Sequence, residues 1–154
     1  HLAGVLDSRM GGQELEVDQE TKSNRRSMYF SVHPEAGGHL QFLGVFDPPD
    51  PCECYRRGES IVPQQALALT NSELLVKNSR AVAGQFESLG EENFLTAVFE
   101  TILTRPPTTE ERAACTEFLR KQEQVYPKDI PAQQRARESL VRVLFNHDEF
   151  VTVR

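Results

Sequence analysis

The feature that most limits how this chain can fold is Asp47 to Pro51, D-P-P-D-P, with three prolines in five residues. Each proline removes a backbone donor and pushes its predecessor out of the α region, so neither a helix nor an inner strand can pass through. The backbone from there to Gly58 must be irregular yet defined. It separates two stretches whose residue patterns differ.

After Gly58 the apolar period is that of helices. Pro63 sits where a helix's first turn tolerates it, ahead of Ala66, Leu67 and Leu69. Asn71 reads as the cap of a second helix with Leu75, Val82, Phe86 and Leu89 on one face and Gly90 as its stop. A third helix is expected over Glu91 to Leu103, with acidic residues in its first turn and Leu95, Val98, Phe99 and Ile102 buried. Arg105-Pro106-Pro107 ends it. Thr108 and Glu111 form a T-x-x-E capping box for a fourth helix that buries Ala114, Cys115, Phe118 and Leu119 and closes at Pro127. Asp129 with Pro131 opens a fifth, where Ala136, Leu140, Val143 and Leu144 recur at helical spacing. Asn146-His147-Asp148 then breaks the helix before an apolar tail of Phe150, Val151 and Val153.

Before the prolines the pattern is thin. Ser27 to His33, S-M-Y-F-S-V-H, alternates Met28, Phe30 and Val32 against Ser27, Tyr29 and Ser31 and reads as a strand. Leu40 to Phe46 suits a strand or one helical turn. Gly11-Gly12 and the acidic run Glu14, Glu16, Asp18, Glu20 read as a turn and an exposed loop. The expected fold is therefore mainly α: a four- to five-helix bundle behind an N-terminal extended or irregular segment carrying one or two short strands. Residues 1–59 form the irregular portion and 60–154 the helical one. Because His1 to Leu6 begins without a cap before its apolar positions, the sequence reads as starting inside a helix, either a single domain or the C-terminal fragment of a longer one.

Composition removes several classes of function. Against 23 Asp and Glu stand 17 Lys and Arg, a net charge of −6, which argues against nucleic acid or an anionic membrane as partner. The uninterrupted apolar runs, such as Ala66 to Leu69, are far short of the ~18 residues that span a bilayer, so no direct membrane insertion is expected. The three cysteines, Cys52, Cys54 and Cys115, are too few and too unevenly placed for a disulfide framework, and reduced thiols are the simpler expectation.

Reactive residue types are densest around the prolines: Asp47, Asp50, Cys52, Cys54, Arg56, Arg57, Glu59 and Ser60, then Gln64 and Gln65. A proline-stiffened segment holds polar groups in place before a ligand arrives, as a site requires. The same groups also suit an ordered structural loop, with Asp47 and Ser60 bonding turn amides and the arginines pairing with carboxylates, and that reading is preferred. Cys52 and Cys54 with His33 and His39 supply zinc-type donors at the wrong spacing, and Asp47 and Asp50 lack a calcium-loop register, so no metal is assigned. C-x-x-C-H is absent, so the chain carries no c-type haem motif and no cofactor of its own is expected. His147-Asp148-Glu149 lies far along the chain from Cys54 and Ser60 and is read as a helix break rather than part of a nucleophilic site. The pairs Arg25-Arg26 and Arg56-Arg57 suit either an anion clamp or, preferably, neutralisation of the nearby acidic residues.

Six blocks in order, R-R-S-M-Y (Arg25 to Tyr29), V-F-D-P-P-D-P (Val45 to Pro51), E-C-Y-R-R (Glu53 to Arg57), S-I-V-P-Q-Q-A-L-A-L-T-N (Ser60 to Asn71), L-T-R-P-P-T-T-E-E (Leu103 to Glu111) and L-F-N-H-D-E-F (Leu144 to Phe150), resemble planctomycete-specific domain one, a domain-of-unknown-function family. The blocks span the chain from about Gly11 to Val153. The resemblance implies the C-terminal portion of the family domain, in large exported proteins that hold a second planctomycete domain and often a cytochrome c-like one. An extracytoplasmic location, periplasmic or at the cell surface, follows from the resemblance only. It brings no established catalytic residue. The positions matching its strongest motif are Asp47, Asp50, Arg56, Arg57, Ser60, Pro63, Gln64 and Asn71, and Cys52 departs from the family's usual polar residue.

Together these readings favour a noncatalytic structural or binding module whose proline-stiffened loop docks a neighbouring domain, a partner protein or a polysaccharide. Asp47, Asp50, Arg56, Arg57, Ser60 and Gln64 are the candidate ligand-binding residues. The alternative is a composite active site, for redox or polysaccharide-processing chemistry, completed by an upstream domain.

Overall fold

The computed structural model describes residues 1–20, 22–31, 40–46, 62–125 and 131–151. Six α-helices lie among them: α1 (Val62–Asn71), α2 (Glu73–Gln85), α3 (Glu91–Leu103), α4 (Thr109–Val125), α5 (Ala132–Phe145) and the single turn α6 (Asp148–Val151). Short 3₁₀ turns occupy Val17–Gln19, Ser27–Tyr29 and Leu43–Phe46. The mainly helical class with an irregular N-terminal segment is therefore found. By contact the chain forms two compact units, one of Val5–Asn71 and one of His1–Gly4 with Ser72–Arg154.

In the second unit α5 is the central element and packs on α2, α3 and α4. Its buried residues are Ala136, Arg137, Glu138, Leu140, Val141, Leu144 and Phe145. At about 100° per residue these span a wide arc with Arg137 in its middle. Val143 falls at the edge of that arc and is 52% exposed, which corrects its expected burial. Facing this arc, Phe94, Leu95, Val98, Phe99 and Ile102 of α3 and Leu75, Val82 and Ala83 of α2 complete the core. In α4 only Leu119 of the four expected core positions is buried; Cys115 and Phe118 are half-buried and Ala114 is exposed, because this helix contributes one narrow stripe.

Local signals set the helix ends. Ser72, not Asn71, caps α2: its Oγ accepts from the Leu75 amide at 3.1 Å. Asn71 instead completes α1, its Nδ2 donating to the Leu67 carbonyl at 3.0 Å. α2 stops at Gln85, and Gly90, with φ of −60°, precedes α3 as its N-cap instead of stopping α2 from a left-handed conformation. α3 runs over Glu91–Leu103 as the sequence predicts, with Glu91 and Glu92 in its first turn. Thr104 ends it at φ 59°, the left-handed conformation that usually goes to glycine. The capping box forms at α4: the Glu111 amide donates to Thr108 Oγ1 at 3.2 Å and the Thr108 amide to Glu111 Oε2 at 2.8 Å.

Where the sequence predicts a strand over Ser27 to His33, residues 27–31 of the first unit are described and take a different form. Among its described residues, Ser27–Tyr29 is a 3₁₀ turn, and two isolated parallel bridges, Asp7 with Arg25 and Leu15 with Phe30, stand in place of a ladder. Burial does not follow the alternation: Met28 is 74% exposed, while Ser31 is buried with its hydroxyl donating to the Leu15 carbonyl at 3.1 Å. Alternation describes a strand only where a partner exposes a matching edge, and among the described residues Leu15 supplies a single pairing residue. Within the Leu40 to Phe46 run, Leu43–Phe46 is a 3₁₀ turn, and the Phe42 and Phe46 rings lie 5.2 Å apart.

Threonine is β-branched, and a left-handed conformation crowds its Cβ against the carbonyl that follows. Thr104→Gly is expected to raise stability by about 1 kcal/mol, or roughly 3 °C in thermal denaturation. An unchanged melting temperature would mean that the Thr104 Oγ1 bond to the Leu103 carbonyl, 2.7 Å long, offsets the strain.

Candidate functional site

Of the six residues the sequence nominates, Asp47, Asp50, Arg56, Arg57 and Ser60 lie outside the described residues, as do Cys52, Cys54, His33 and His39. Gln64 stands in the first turn of α1 with its side chain exposed. The elements on either side of residues 47–61 are described and are packed together: the Leu43–Phe46 turn rests on α1. Gln65 Nε2 donates to the Val45 carbonyl at 3.2 Å and ties the two. The turn is capped in its own right, since Glu20 accepts from the Phe42 and Leu43 amides at 3.1 and 2.9 Å. One carboxylate of the acidic run thus serves as an anchor for the Leu43–Phe46 turn.

Arg25 has a similar task. Its guanidinium lies 3.7 Å over the Tyr29 ring and donates to the Gly11 carbonyl at 2.6 Å and the Arg9 carbonyl at 3.3 Å. Tyr29 Oη accepts from the Gly11 amide at 3.1 Å. Gly11 and Gly12 adopt φ of 73° and 98°, which only glycine adopts without strain, and this presents the Gly11 carbonyl to Arg25. Arg25 therefore holds a turn, where the sequence suggested neutralisation of the acidic run or an anion clamp.

A second group joins two of the sequence blocks. Arg105, just past α3, forks to Glu149 of α6 through Nε and Nη2 at 2.8 and 3.0 Å, and to Glu111 of α4 through Nη1 and Nη2 at 2.8 and 2.7 Å. Five N–H groups in a rigid plane can engage two carboxylates bidentately at once, which the three N–H groups of a lysine cannot. His147 Nδ1 accepts from the Glu149 amide at 3.2 Å and shapes the turn that delivers Glu149. The Arg105 fork, with the Thr108 amide behind it, lowers Glu111 to about 2. Glu149 is also lowered by Arg105, whose own proton is held more tightly by both partners. The triad is a junction of α3, α4 and α6. The T-x-x-E box was legible in sequence, but nothing local pairs Arg105 with Glu149, 44 residues away.

The third arrangement is buried. Arg137, 5% exposed, donates to the carbonyls of Phe86, Glu87 and Leu89 at 3.3, 3.1 and 2.8 Å and stacks 4.5 Å over the Phe94 ring. Beside it Glu138 accepts from Arg80 and Arg135 at 3.3 and 3.4 Å. Cys115 carries a free, half-buried thiol that burial, with the Glu111 charge, pushes above its ordinary range, away from the thiolate form needed for attack. Among the described residues no three His, Cys, Asp or Glu side chains converge as metal ligands, and no helix is long and apolar enough to cross a membrane.

Comparison with known families finds a match to PSD1, described as a protein of unknown function (DUF1553), over residues 1–119. No curated protein and no solved structure matches the chain.

The Arg105 junction carries a pH dependence. Glu111 is lowered in the folded state, so its contribution is complete above the ordinary carboxyl value of 4.5 and is lost as pH falls towards about 2. Glu111→Gln keeps an acceptor for the capping box but removes the charge. Urea titrations between about pH 4.5 and pH 2 are expected to show the slope of unfolding free energy against pH reduced by up to about one proton in this variant. An unaltered slope would place the acid sensitivity elsewhere.

Proposed function

The chain belongs to the PSD1 family of proteins of unknown function (DUF1553), and on that premise we propose that it is a noncatalytic structural and binding module of a larger exported protein, acting outside the cytoplasm. The observation that carries this reading is how the described charged groups are engaged. Glu20, Arg25 and Arg137 hold backbone amides and carbonyls, and Arg105 holds two carboxylates. Groups so engaged position chain segments and are poorly placed to turn over a substrate, whose reacting atoms need unengaged acids, bases or nucleophiles.

Docking falls to the segment carrying Asp47, Asp50, Arg56, Arg57 and Ser60, with Gln64 beside it. What supports this is the bracket around it: Gln65 holds Val45, and the turn before the segment rests on the helix after it, so the segment leaves and rejoins one place on the unit. A segment whose flanking residues are joined has less entropy to lose on binding than a free one. Its partners are a neighbouring domain of the parent protein or a polysaccharide. The sequence resemblance supplies the wider setting: the C-terminal part of a planctomycete domain, in a protein of a kind that often also holds a cytochrome c-like domain.

The test is the full-length parent carrying Arg56→Ala and Arg57→Ala together, assayed for retention on insoluble polysaccharide and for association of its own domains after limited proteolysis. Loss of about tenfold in one affinity, with the melting temperature kept, is expected. Unchanged affinity for both would remove the segment from the account.

A further inference from the structure

One buried carboxylate in the second unit serves two arginines. Glu138 of α5 accepts through a single oxygen, Oε2, from Arg80 Nε of α2 at 3.3 Å and from Arg135 Nη1 at 3.4 Å. Neither contact is bidentate, and both are long for an ionised pair, which ordinarily closes to about 2.7 to 2.9 Å. The Arg105 fork, by contrast, meets Glu111 at 2.8 and 2.7 Å. One shared oxygen at this distance leaves the two guanidinium groups of Arg80 and Arg135 under-compensated.

A third arginine stands beside them. Residues 135, 138 and 142 are three and four apart and therefore neighbours on one stripe of α5. Arg142 Nε is shut off from water and has no hydrogen-bond partner. An unsatisfied buried donor is disfavoured, and an acceptor brought by a ligand relieves it. Among the described residues the two bonds to Glu138 are all that this group makes, so Arg80 keeps both Nη groups, Arg135 its Nε and Nη2, and Arg142 all three nitrogens. The Arg80 and Arg135 side chains are 52% and 33% exposed, within reach of a solute. Three positive charges thus face one negative charge in a chain whose net charge is −6. The adjacent cations leave that surplus unchanged: Lys77, one turn before Arg80, is paired with Glu73 at 2.8 Å, and Arg137 is engaged by carbonyls.

We propose that Arg80, Arg135 and Arg142 form a binding site for a phosphate group, as the free ion or as the end of a monoester, with Glu138 holding the first two in place. The planar donor edge of a guanidinium matches a pair of phosphate oxygens. The surplus of two positive charges matches a dianion, and the ligand supplies the acceptor that Arg142 Nε lacks. A carboxylate ligand would bring one charge and two oxygens to a set of donors that can use more. Every residue of the site belongs to the second unit, so the inference stands or falls separately from the docking role of residues 47–61.

The probes are inorganic phosphate and glucose 6-phosphate, each titrated into the intact chain at about pH 8, where a phosphate monoester carries close to two charges, with chloride at equal ionic strength as the control. Saturable shifts of the Arg80, Arg135 and Arg142 Nε–H NMR signals with phosphate, and none with chloride, are expected. Binding of the ester as tightly as the ion supports a site for an end group, and binding of the ion alone supports a site for the free ion. Arg142→Gln should weaken binding about tenfold, the loss of one charge-assisted contact. Its melting temperature should stay within about 2 °C of wild type, because the Arg142 side chain forms no bond in the free protein. Arg80→Gln carries the same expected loss of affinity and decides the matter if the first variant does not fold. No saturable shift at the three signals, or equal affinity in wild type and variant, would overturn the site.

Discussion

A charged side chain at the centre of a core organises the helical unit. Arg137 occupies the middle of the buried face of α5, where an unpaired guanidinium is strongly disfavoured. Its protons meet three carbonyls of the turn that leaves α2, and its flat face meets the Phe94 ring of α3. Those carbonyls follow the end of α2, where the helix can no longer supply donors. One residue thus satisfies itself and the exit of α2, and it fixes α5 against both α2 and α3.

The same solution recurs at three other charged groups. Arg25 takes the carbonyl of a glycine turn, Glu20 takes the two amides that open the Leu43–Phe46 turn, and Arg105 gathers α4 and α6 to the end of α3. Each fixes a bend where the backbone lacks regular partners. The family match ends at residue 119, yet Arg105 within it is bound to Glu149 beyond it, so the last turn is joined physically to the matched region.

What was legible in the sequence was local. The bounds of α3 followed from two acidic residues at its start and four apolar ones at helical spacing, and the α4 capping box followed from T-x-x-E alone. What was not legible needed a partner. The Ser27 to His33 alternation named a strand, but among the described residues Leu15 alone pairs with it, at Phe30, and Arg25 stacks on Tyr29 beside a 3₁₀ turn instead. Val143 kept the helical period yet lies at the edge of an arc that three packed helices had widened around Arg137, a residue that apolar patterning passes over. The Asn71 cap slipped by one residue because Asn71 and Ser72 are both good capping types and only the tertiary path of α1 decides between them. Of the candidate site, the bracket formed by Val45 and Gln65 is what the described residues add.

The central claim is that these buried and half-buried charges are architecture, and Arg137 tests it most directly. Arg137→Met keeps most of the stem's volume while removing every donor. Urea denaturation of this variant is predicted to show a loss of about 2 kcal/mol, with faster amide exchange in the turn after α2. A loss below about 0.5 kcal/mol, with exchange in that turn unchanged, would contradict the account.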